Sequence, residues 1–144
     1  MTPVLSGRWQ TRFYVMTVFG IPVTLIFALI WQTPIPLFLS LAYVLLIGLV
    51  LDLVWNWIQN RRWENDFPPV LHVASGAIEG AVFWILHSTI GLPFIPTDLP
   101  FNRFLLHYCT VFFVVFCAIW GLMKVMHPWW RFHGGRLFTE PEYE

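Results

Sequence analysis

Asp52, His72 and Glu79 carry the most chemical potential in this chain, because each sits inside a long apolar run. A charge at the middle of a bilayer costs about 2.5–3.5 kcal/mol on insertion scales, so a carboxylate kept there needs a partner or a task. Gly48, Asp52, Asn56 and Gln59 recur at i, i+4, i+8 and i+11, which places them on one helical face. His72, Ser75, Gly76, Glu79 and Gly80 form a second such stripe. The two stripes belong to antiparallel neighbours, and Lys124 and His127 come to the same layer from elsewhere. The expected intramembrane polar cluster is therefore Asp52, Asn56, His72, Glu79 and Lys124.

Two chemistries fit that cluster. One is packing: Gly76-x-x-x-Gly80 and Ala77-x-x-x-Ala81 let backbones approach, Gly48 adds a small contact, and Glu79 bonds a neighbour such as Asn56 or His72. The other is a proton or cation relay over Asp52, His72 and Glu79. A site on a bound cofactor or a partner subunit is a third use. Left unpaired in hydrocarbon, the Glu79 carboxyl is expected to be neutral and to donate a hydrogen bond to Asp52 or a carbonyl.

A second layer holds His87 and His107, which an antiparallel pair of helices would bring to one level. Facing histidines of this kind ligate haem, and a single one can ligate a chlorophyll-type pigment. The opposing reading is a pair of interfacial histidines satisfied by carbonyls or water. His72 and His127 could form a matching inner pair, but 20 residues separate His107 from His127, which turns them about 200° apart. No helix carries a Glu-x-x-His carboxylate repeat or a His-Glu-x-x-His zinc pair, so no metal site is expected. Cys109 and Cys117, two turns apart on one helix, cannot form a disulfide with each other and read as buried apolar residues. No phosphate-binding glycine loop and no nucleophile with a base is present, so no catalytic residue is assigned.

The elements that must position these residues follow from composition. Of 144 residues, 58% are hydrophobic, 19% aromatic and only 11% charged, too little charge to coat a water-soluble domain. The net charge of zero gives no basic face for a nucleic acid. Four apolar stretches, 13–31, 35–58, 70–92 and 104–126, each approach the roughly 20 residues that cross a bilayer as a helix. They contain only Asp52, Glu79 and Lys124 among the charged residues, and their continuous apolar runs lack the alternation of membrane strands. The spacing predicts one all-α domain, an integral membrane four-helix bundle, with a short tail at 127–144.

The breaks agree. Gln32-Thr33-Pro34 makes a short turn, Pro68-Pro69 opens the third helix, and Pro93, Pro96 and Pro100 stiffen an extended loop over 91–103. No small-x-small cleavage site follows the first span, which is expected to remain as a helix. Arg8, Arg12, Arg61, Arg62, Lys124, Arg131 and Arg136 fall on one side and Arg103 on the other, so both termini are expected in the cytoplasm. The bilayer is expected to be a bacterial inner membrane or a related energy-transducing one. Nine tryptophans exceed what two interfacial belts need, and a polar tail at 139–144 would fray without a neighbour to hold it. The expected function is a non-catalytic accessory or scaffolding subunit of a larger membrane complex, in contact with other integral membrane subunits. The alternative is a small proton- or ion-coupled carrier using Asp52, His72 and Glu79.

Overall fold

The computed structural model describes residues 3–63 and 66–138. Four helices in it are long and apolar enough to cross a membrane: α1 (Leu5–Trp31), α2 (Pro34–Arg61), α3 (Pro69–Thr89) and α4 (Phe101–Met126). No strand occurs among the described residues. The polar tail at 139–144 lies outside them.

Local chemistry sets the helix ends. Gln32 turns left-handed at φ 53° to stop α1, and Pro34 opens α2 two residues later, where a missing N–H costs nothing. Pro69 opens α3 in the same way, and Gly91 at φ 75° follows its end. Two helices contain a π-helical turn, Met16–Gly20 in α1 and Ala118–Leu122 in α4. In α1 the cause is Pro22, which lacks an N–H and whose ring crowds the carbonyl of Val18, so the helix widens there.

α1 packs against α2 and α4, and α2 packs against α3, while α3 and α4 meet chiefly through side chains. One apolar cluster joins Val15, Leu41, Val111, Val115, Ile119, Met123 and Trp130, and a second joins Val44, Phe83, Ile95 and Phe104.

Several expectations need correction. α1 starts at Leu5, eight residues before the apolar window, because Arg8 and Arg12 find partners inside and no longer mark a boundary. The 91–103 loop is folded into turns closed by Ile95 N–H to Leu92 O and Leu99 N–H to Pro96 O, and it buries Ile95. Cys109 and Cys117 are exposed on the outer face of α4. The segment after Met126, expected as a tail, folds back on α1 as far as Phe138. Val4 N–H donates to Gly134 O at 2.8 Å, and Thr11 donates to Gly135 O at 2.8 Å while accepting from Trp130 Nε1 at 2.7 Å. Gly7 is required at this crossing, since a Cβ there would collide with the Gly134 carbonyl.

Candidate functional site

The polar stripe of α2 presents Asp52 and that of α3 presents Glu79, each about 10–15 Å along its helix from the loop that joins them. Between them lies a side chain from α1. The Arg12 guanidinium donates from Nε to Asp52 Oδ2 at 2.9 Å and from Nη2 to Asp52 Oδ1 at 3.1 Å. It also donates from Nη1 to Glu79 Oε2 at 3.0 Å and from Nη2 to Glu79 Oε1 at 2.7 Å. Both carboxylates are thus gripped in a two-pronged way, and every carboxylate oxygen accepts from the same guanidinium. The planar fork of arginine allows this, whereas the point charge of lysine does not.

Gly48 makes room for that fork. It lies one turn before Asp52 on α2, and a Cβ at its position would collide with Arg12 Nη1. The sequence stripe Gly48–Asp52 is therefore a seat and a partner for one cation.

Arg8, one turn before Arg12, completes the charge balance. Its side chain is 8% exposed, with Nη1 4.0 Å from Asp52 Oδ1, Nη2 donating to Gln59 Oε1, and Cζ 4.0 Å above the Phe67 ring. Two guanidiniums and two carboxylates leave the cluster formally neutral. Breaking one member of such a buried set exposes an uncompensated charge, at a cost of about 3–5 kcal/mol.

The remaining members of the expected cluster divide. His72 lines the same cavity as Asp52 and Glu79, but its contacts are aromatic: Phe67, Phe112, Phe116 and Trp120 surround it, and Trp120 Nε1 donates to its Nδ1 at 3.1 Å. Lys124 lies with Nζ 4.6 Å from the Trp120 ring centre, in a cation–π contact, and no carboxylate contact joins it to the cluster among the described residues. Asn56 is half-buried on α2 and makes none of the cluster's bonds. His127 lies against Tyr14 and Trp129, so it forms no pair with His72. Glu79, expected to bond a neighbour such as Asn56 or His72, is ion-paired with Arg12.

Gly76 and Gly80 are packing residues, but what they admit are rings and not a helix backbone. A Cβ at Gly76 would collide with the Phe112 ring, and one at Gly80 would lie 2.7 Å from Tyr108 Cε1. Tyr108 also donates to the Gly76 carbonyl at 2.6 Å, a bond that ties α4 to α3.

In the outer layer, His107 is buried with Nε2 2.9 Å from the Thr24 hydroxyl and its ring edge-on to Phe27. Ligation through that nitrogen would require the Thr24 bond to break. His87 stacks on Phe83 and leans on Trp84, and its Nδ1 is buried without a partner among the described residues. The two imidazoles keep separate neighbours. No group of three or more His, Cys, Asp or Glu side chains converges as metal ligands among the described residues.

Arg8 and Arg12 are what sequence reasoning left out of the site. The available signal was their i, i+4 spacing beside an apolar run, together with two intramembrane carboxylates set against a single intramembrane cation, Lys124. Chemically the cluster is an ion-pair clamp across three helices. No family model, curated protein or solved structure matches the chain.

Proposed function

We propose that this chain is a four-helix integral membrane protein acting as a non-catalytic accessory or scaffolding subunit of a larger membrane complex. The observation that carries this reading is the saturation of Asp52 and Glu79 by Arg12, which leaves neither carboxylate free as a base or a carrier site. The polar interior is spent on holding helices together. Large aromatic residues remain on the outside, Trp57, Trp63, Trp129 and Phe132 among them, where lipid headgroups and neighbouring subunits would meet them.

Residues 3–8 touch both Gln59 and Phe67 on one side and Gly134, in the segment after Met126, on the other, all at one end of the helices. We place that end in the cytoplasm of a bacterial inner or related energy-transducing membrane. Arg8 and Arg12 leave the charge count because they are paired inside, yet Arg61, Arg62, Lys124, Arg131 and Arg136 still oppose Arg103 alone.

A cavity touching Asp52, His72 and Glu79 favours the rival reading, a small proton- or ion-coupled carrier. Purification in mild detergent followed by mass measurement separates the two. Stable co-purifying membrane subunits are expected; a monodisperse, active particle of this chain alone would overturn the accessory reading.

A further inference from the structure

The interior contains a cavity of about 110 Å³ that touches all four helices, from Arg8 at the end near the 59–69 loop to His107 in the outer layer. Its two halves differ in chemistry. The upper half is walled by Val44, Phe104 and Val111 together with Ser40 and His107, whose Oγ and Nε2 are already bonded to the Leu37 carbonyl and the Thr24 hydroxyl. The lower half is walled by Arg8, Arg12, His72, Ser75, Glu79 and Tyr108.

Several polar atoms at the lower half have capacity left over. Arg8 Nε is buried without a hydrogen-bond partner among the described residues, on a side chain only 8% exposed. His72 accepts at Nδ1 from Trp120, so in the neutral ring the proton sits on Nε2, and Nε2 makes no hydrogen bond among the described residues. Ser75 Oγ donates to His72 O and Tyr108 Oη donates to Gly76 O, which leaves lone pairs on both oxygens. Donors and acceptors thus belong to side chains that line one space. An unmade hydrogen bond on a buried group costs about 1–3 kcal/mol, so something with both functions belongs there.

We propose that the lower half of this cavity is a site for a cluster of resident water molecules. Charge selects an uncharged occupant: the cluster of Arg8, Arg12, Asp52 and Glu79 is already neutral, and an added ion of either sign would bury an uncompensated charge. Size selects a small one, since a water needs roughly 10–15 Å³ of such space and a benzene-sized molecule occupies a cavity of about 150 Å³. Water also supplies the donors and the acceptors together. The cluster completes the Arg8 donor set and gives His72 Nε2 an acceptor.

Radiolytic footprinting of the chain in lipid nanodiscs tests this, because hydroxyl radicals formed from resident water oxidise the side chains beside it and mass spectrometry locates the products. After correction for intrinsic reactivity, Tyr108 and His72 are expected to label several-fold faster than Phe83, which is fully buried and does not line the cavity. Equal rates at Tyr108, His72 and Phe83 would overturn the proposal, as would a lipid or other organic molecule co-purifying in the cavity with those sites unlabelled. Ser75→Leu fills the lower half and is expected to slow Tyr108 labelling. Unchanged labelling in a folded Ser75→Leu protein would count equally against resident water, and the wild-type comparison stands whether or not that variant folds.

Discussion

Arg12 shows how much one residue can decide where bulk water is excluded. In a soluble protein, a guanidinium between two carboxylates competes with solvent; here Asp52 and Glu79 are buried, and each relies on the same fork for both oxygens. Arg12→Lys keeps the charge but has one compact ammonium to serve four oxygen contacts. We expect it to cost about 1–3 kcal/mol through acceptors left without a donor. Thermal unfolding in a fixed micelle measures this, and an Arg12→Lys variant of wild-type stability would show that the fork geometry is irrelevant. At this scale Asp52, Glu79, His72 and Gly48 were legible in the sequence, because a polar residue in an apolar run stands out. Arg12 was not. It abuts the run, and hydropathy alone treats an arginine there as the boundary of the span.

Among the elements, α4 is held differently from the others. Phe104, Tyr108, Phe112, Phe116 and Trp120 recur every four residues, and their rings follow one another at 5.6, 6.3, 6.1 and 6.4 Å between centroids. This aromatic ladder faces the small residues of α3, with Phe112 and Tyr108 entering the notches at Gly76 and Gly80. The fit predicts size complementarity. Gly76→Leu should destabilise by about 1–3 kcal/mol through overpacking, and adding Phe112→Ala should restore part of that loss by vacating the notch. Denaturant titration of the two variants checks it; a harmless Gly76→Leu would mean that the notch is not filled as described. The glycine positions were legible, but their use was not. Small-x-x-x-small spacing announces close approach without saying whether a backbone or a ring arrives. The ladder is hard to see because, apart from His107 and Thr110, the residues between its members are apolar too. The fold-back of 127–138 was equally hidden: beside the Trp130–Thr11 bond, its anchors are backbone carbonyls of Gly134 and Gly135 meeting Val4 and Thr11, which no side-chain pattern encodes.

Taken whole, the molecule faces a problem that its composition creates. Lipid tails are as apolar as leucine, so burying apolar helix faces against each other gains little in a bilayer, and packing and polar contacts must supply the association. The fold answers with the Arg12 clamp joining α1, α2 and α3, the Tyr108 bond and aromatic ladder joining α4 to α3, and the Trp130–Thr11–Gly135 chain fastening the end of α4 to α1. Four spans and their turns could be read from the sequence because each is a local property. The clamp depends on residues 40 and 67 positions apart, and no local rule reports such pairing. The central claim is that the buried charges hold the helices together. Its most direct test compares unfolding free energies of the wild type, Arg12→Met and Arg12→Met/Glu79→Leu in one micelle. The single variant is expected to lose about 3–5 kcal/mol, because it strands a buried negative charge. The double variant restores neutrality, leaving Asp52 to Arg8, and is expected to recover most of that loss. An Arg12→Met protein as stable as the wild type, or a double variant no more stable than the single, would contradict the account.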